Sequence, residues 1–263
     1  MKRLILTGLL VSATGLWPVL AQQGQQAKGG QPQQMVPNTK SAGESAAVMA
    51  LFQAQQANNM DGVIKGAEDL LTKYTDTFYK EAALTMEAMA YQQKGDTINA
   101  QIYFEKLLEF NPKSLQAMLS LGEILATKTR ENDLDREEKF TKATKYLNDT
   151  MEQLKTAPKP NPQITDAQWE EGKKAYTAEA HNDLGLMALT RKKYDVAITE
   201  FKSAVDTNPE PAYQVRLASA YQNAGKNDEA IAICDKLLAD PQLHPTIKQV
   251  AQAVKAAASQ GKK

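Results

Sequence analysis

Few side chains in this 263-residue sequence could do chemistry, and their spacing argues against it. His181 lies inside an apolar-periodic stretch, and His244 sits between Leu243 and Pro245 in a predicted loop. Cys234 is the single cysteine, so it forms no internal disulfide, and no Cys/His cluster has the spacing of a zinc site. The pair Gly29-Gly30 falls in a Gln- and Pro-rich segment, so no glycine loop joins a strand to a helix to cradle a phosphate. There is no Gly-x-Ser-x-Gly nucleophile elbow. Five acids crowd the run TRENDLDREE at 129–138, but the run lacks the turn glycine and oxygen-ligand spacing of a calcium loop. It reads as a charged, solvated helix face. The sequence therefore predicts no catalytic residue, no cofactor and no metal ligand, and the chain is expected not to be an enzyme. An acidic site that spacing alone does not reveal stays open as a less favoured alternative.

The elements that would position any such residues are helices. The chain is 42% hydrophobic and carries 31 basic and 31 acidic side chains, a balance with no electrostatic footprint for nucleic acid. Its first residues combine a basic start, Lys2-Arg3, with an apolar run from Leu4 to Leu16, a break at Pro18 and a small residue at Ala21. That pattern is a cleavable secretory signal over 1–21, short for a membrane span, and it predicts a periplasmic or secreted protein with no transmembrane span after cleavage. Removing it leaves 29 basic against 31 acidic side chains, or 29 − 31 = −2. Residues 22–40 are mostly Gln, Gly, Pro and Lys, too poor in apolar area to offset the entropy of ordering, and read as a disordered linker. The folded domain is expected over 41–260.

Within it, apolar and small residues recur at steps of three and four, the period of amphipathic helices. Ser41 with Glu44, and Thr165 with Gln168, have the spacing of capping boxes. Over 178–211, Leu184-Gly185, Ala197, Phe201, Ala204 and Pro209 mark two helices around the turn Arg191-Lys192-Lys193. The same offsets hold Ala88, Tyr91, Gly95, Ala100, Phe104, Leu107 and Pro112 over 81–114. A shift of 33 takes Gly185 to Ala218, Ala197 to Ala230 and Phe201 to Cys234, with Gly225 at the turn. A more degenerate unit precedes these, and a helix capped by Thr246 follows them. Between 115 and 192 the pattern is stretched. Leu121-Gly122 opens a unit whose second helix is displaced, and a helix from about Ala167 to Lys192 is too long for one repeat. Trp169 and Tyr176 are expected to pack on Leu147, Met151 and Leu154 in a projecting antiparallel pair.

This spacing resembles the tetratricopeptide repeat, a 34-residue helix–turn–helix unit with small residues where its helices cross. The resemblance implies an all-α solenoid of about five units, two of them extended into a hairpin, with a C-terminal capping helix. It also implies a protein that holds a peptide or helix of a partner in a groove lined by the first helices. Some relatives clamp a C-terminal carboxylate with Lys, Asn and Arg at first-helix positions. The equivalent residues here include Gln116, Leu119, Ser120, Glu123, Glu179, Asn182, Asp183, Leu186, Val215 and Arg216, and only Asn182 and Arg216 are of the right type. The clamp is absent. By offset the groove-lining residues are Thr85, Met89, Gln92, Leu119, Glu123, Asn182, Leu186, Leu189, Ser219 and Gln222. That largely uncharged set suits a neutral amphipathic helix or extended segment. The expected role is an exported scaffold within a cell-envelope assembly, the alternative being a regulatory subunit of an envelope enzyme complex. Partner identity and oligomeric state are not legible in the residues.

Overall fold

A computed structural model describes residues 35–160 and 162–261, and every regular element among them is a helix. The expected signal at 1–21 and residues 22–34 of the expected linker lie outside the described residues. No helix among the described residues is long and apolar enough to cross a membrane. The chain divides into two compact units, one reaching to Ala117 with 159–164 added, the other made of 118–158 and everything from Thr165 onward.

The first unit contains α1 (Ala42–Gln56), α2 (Met60–Lys73), α3 (Lys80–Gln93), α4 (Thr97–Phe110) and the opening of α5 (Leu115–Lys128). Consecutive helices pack on one another around Val48, Leu51, Val63, Ala67, Leu70 and Ala83, all fully buried. The predicted cap at Ser41 forms, its Oγ accepting from the Glu44 amide at 3.1 Å. The return bond differs from a capping box. Glu44 Oε2 accepts from the Lys40 amide at 2.7 Å, because the chain before the helix folds back and brings that donor within reach. Residues 35–40 are tied down further by Val36 N donating to Ser45 Oγ and Tyr79 Oη donating to Pro37 O. Phe104 is buried completely, as its repeat offset requires.

The second unit holds the rest of α5, then α6 (Arg136–Leu154), α7 (Asp166–Thr190), α8 (Tyr194–Thr207), α9 (Pro211–Asn223), α10 (Asn227–Leu238) and α11 (Pro245–Gln260). The long helix is confirmed: α7 has 25 residues, ~38 Å at ~1.5 Å per residue. It starts on a complete capping box between Thr165 and Gln168. The acidic run at 129–138 corrects the sequence reading. It is a loop up to Asp135 rather than a helix face, because Asp133 Oδ2 accepts from the Arg130 amide and closes a turn. The cap of α11 is also corrected: His244 Nδ1 accepts from the Thr246 amide at 3.3 Å, with Pro245 taking the first helical position, where its missing N–H costs nothing. Phe201 and Cys234 are fully buried in the two α8–α11 cores.

Two backbone features repeat with the units. First, the turn after α1, α3, α7 and α9 places Asn58, Gly95, Lys192 and Gly225 at positive φ. Glycine takes that region without penalty, and lysine does not. Second, the crossing of paired helices needs a small residue. A Cβ on Gly185 would sit 2.7 Å from Phe201 Cε1, and one on Gly122 would sit 2.5 Å from Leu147 Cδ2.

Candidate protein-binding face

The sequence leaves the second unit's first helices, α5, α7 and α9, with polar residues at offsets that face their neighbours. On α7, Glu179, Asn182 and Asp183 lie three and four apart and share a helix face. Tyr213 and Arg216 do the same on α9, and Glu123 supplies the corresponding position of α5. Packing of α5, α6 and α7 around Phe140, Leu147 and Met187, and of α7, α8 and α9 around Phe201, brings these residues into one cluster.

Asp183 is its floor, at 2% exposure. Its Oδ1 accepts from Asn182 Nδ2 at 3.1 Å, and Asn182 Oδ1 accepts from Arg216 Nη1. The asparagine thus relays the guanidinium to the acid. Asp183 Oδ2 has no hydrogen-bond partner, an arrangement that costs a buried carboxylate heavily. Burial is the main reason the Asp183 carboxyl titrates well above its ordinary range, reinforced by repulsion from Glu179 and Glu123 and offset by Arg216 and Asn182. Glu179 is pushed to about 7 by burial and then by Glu123, with Arg216 pulling the other way. Arg216 is itself lowered by burial, against the attraction of Asp183. Burial and Glu179 raise the Tyr213 phenol. No three His, Cys, Asp or Glu side chains among the described residues are placed to hold a metal ion.

The comparisons with known proteins agree with this architecture. Family models of the tetratricopeptide repeat match residues 81–114 and 182–245. These two segments are tetratricopeptide repeats. The chain that carries them is a scaffold for protein–protein interaction. No curated protein sequence matches it. Among solved structures, a thermophilic tetratricopeptide-repeat protein of Thermus thermophilus is similar over 81% of this chain and 98% of that one, at 20% identity and a TM-score of 0.52. MamA of Desulfovibrio magneticus, from residue 41 to its end, is similar over 82% of this chain and 98% of that one, at 14% identity and a TM-score of 0.57. At these identities the likeness is one of fold.

The tetratricopeptide-repeat register places the ten expected groove residues unevenly. Thr85, Met89 and Gln92 lie on α3 in the first unit. Met89 is exposed at 41%, and the Thr85 hydroxyl donates to the Glu81 carbonyl. Leu119 is a core residue at 4% exposure, packed with Leu125, Phe140 and Leu147, because α5 buries two faces. Leu186 and Leu189 are half-buried against the Phe201 core. Ser219 and Gln222 are half-buried on α9, and the Ser219 carbonyl accepts from Asn223 Nδ2. Glu123 and Asn182 are the two that meet, around Asp183. Glu179, Asp183 and Arg216 fall at the offsets of a carboxylate clamp, and of the three only Arg216 is of the clamp's residue type. The further signal in the sequence is that acids fill the inward offsets of successive first helices.

Trp169 is buried, and its indole Nε1 donates to the Ala157 carbonyl at 3.1 Å. Tyr176 and Met151 pack with Leu147 as expected. His181 Nδ1 meets Glu200 Oε2 at 2.8 Å. The first unit has its own buried acid, Glu87, beside a cleft of about 490 Å³ that Glu68, Thr72, Lys80, Tyr103 and Lys106 also line.

Proposed function

We propose that this protein is an exported scaffold that holds a helix or extended segment of a partner protein against the first-helix face of its second unit, within a cell-envelope assembly. The observation that supports the face is Asp183, a buried acid whose second oxygen has no hydrogen-bond partner, within the field of Glu123 on α5 and Arg216 on α9. Folding leaves that group costly, and a donor brought by a partner would offset the cost. Export is read from Lys2, Arg3, the apolar run to Leu16 and Ala21.

The test is recovery of the tagged protein from its native host. N-terminal sequencing should begin at Gln22. A partner should co-purify at fixed stoichiometry with the intact chain and be lost when Glu179 is replaced by lysine. A chain that keeps Met1, or a partner indifferent to Glu179→Lys, contradicts the reading.

A further inference from the structure

The acids of the first-helix face outnumber its cations. Glu123, Glu179 and Asp183 interact with one another, and Arg216 is the cation whose field acts on both Glu179 and Asp183. Fully ionised, Glu179 and Asp183 alone exceed the charge of the Arg216 guanidinium that acts on both. Arg216 is held by the Asn182 amide, so its hydrogen bond goes to a relay and not to a carboxylate. Asp183 Oδ2 is left with no donor at all. Glu123, Glu179, Tyr213 and Arg216 are all half-buried, so the cluster opens at its rim and closes at Asp183.

We infer that the bound protein segment places a lysine or arginine side chain on this cluster, against Glu179 and Glu123 and above the unpartnered oxygen of Asp183. The inference rests on the reading that this face holds a partner segment, and it names the chemistry of that segment. A second cation relieves the mutual repulsion of the acids and brings a hydrogen-bond donor toward Asp183 that folding does not supply. The long apolar stem of either side chain lies along the half-buried rim and sets its charged end on Glu179 and Glu123, next to the covered Asp183 carboxyl.

The inference carries a proton signature. The titrating and charged groups facing the cluster are Glu123 from α5, Glu179 and Asp183 from α7, Tyr213 and Arg216 from α9, and Glu210 just before α9. Near neutral pH the free protein holds protons on its acids, since Glu179 titrates at about 7 and Asp183 above its ordinary range. An incoming cation favours the ionised forms, so binding expels protons and tightens as pH rises from 6 to 8.

The experiment selects a displayed library of random 12-residue peptides on the full chain at pH 8. The peptides recovered should share one lysine or arginine, and replacing it with glutamine should weaken the tightest of them at least tenfold. That peptide should bind tighter at pH 8 than at pH 6, and its binding heat should vary with the ionisation enthalpy of the buffer. Glu179→Gln, half-buried and therefore safe for folding, should weaken it tenfold and reduce the pH dependence. Asp183→Asn should do the same where its melting curve shows a folded chain. Peptides that bind as well with glutamine in place of the basic residue overturn this inference and leave the binding face standing. A selection that yields no peptide at all contradicts the face itself.

Discussion

Each unit of this molecule buries an acid, and the two are buried differently. In the first unit Glu87 is fully inaccessible on α3, and neither of its oxygens has a hydrogen-bond partner. Burial raises the carboxyl to about 7, against the pull of the Tyr103 phenol and Lys106 and with repulsion from Glu68 adding to the rise. In the second unit Asp183 is linked through Asn182 to Arg216, yet neighbouring acids push its pKa up further still. Glu87 meets the cost of burial by taking a proton. Asp183 sits in a field with several acids and one relayed cation, an arrangement that a proton or an incoming cation can complete. On the proposed reading, Glu87 is a structural acid and Asp183 belongs to the face that meets a partner.

The largest effects test the frame that holds both acids. Phe104→Ala in the first unit and Phe201→Ala in the second each remove a fully buried ring, and each should cost about 3–5 kcal/mol by lost transfer energy and a cavity. Denaturant melts reading below about 1 kcal/mol for either would place that ring outside the core.

Next comes pH. Glu87 has a folded pKa of about 7 against an ordinary 4.5, so between those values the folded state keeps a proton the unfolded chain has lost. The contribution of Glu87 to stability is highest below about 4.5, falls as pH rises, and is lost above 7. At ~1.4 kcal/mol per unit the fall from Glu87 is about 3 kcal/mol. Glu179 and Asp183 act in the same direction. Melting temperature should therefore decline from pH 5 to 8, and Glu87→Gln should flatten the decline without touching peptide binding. A decline that Glu87→Gln leaves intact would assign the whole effect to the second unit.

Smaller effects probe the repeat backbone. Gly185→Ala drives a methyl into the Phe201 ring and should cost about 1–3 kcal/mol of stability in urea melts. Lys192 occupies the position held by Gly95 and Gly225 in two sister turns, at φ of 58°. Lys192→Gly should stabilise by about 0.5–1 kcal/mol, the relief of the left-handed backbone exceeding the entropy glycine adds. No gain would mean the ion pair of Lys192 with Glu131 matters more than the strain.

Much of the fold was legible because the repeat states it redundantly. Phe104, Phe201 and Cys234 are buried where the offsets place them, and Gly95 and Gly225 turn the chain where glycine is needed. The 25-residue α7 followed from unbroken periodicity after the Thr165 cap. The loop at 129–135 did not, because its turn depends on one side-chain bond from Asp133 that charge density conceals. The binding face was legible only in part. Offsets tell which way a first-helix residue points, and they found Glu123 and Asn182. They do not tell how deeply it is covered, so Leu119 looked available when α6 and α7 bury it. They also do not sum charges across helices distant in sequence, which is what makes Asp183 unusual.

On the proposed reading, a partner lies on first helices of the second unit and not on its second helices. That reading is tested by placing a photo-crosslinking amino acid at Ser219, half-buried on α9, or at Val196, exposed at 49% on α8, in the native host. The account predicts a crosslinked partner from Ser219 and none from Val196. An adduct from Val196 with none from Ser219 would contradict it.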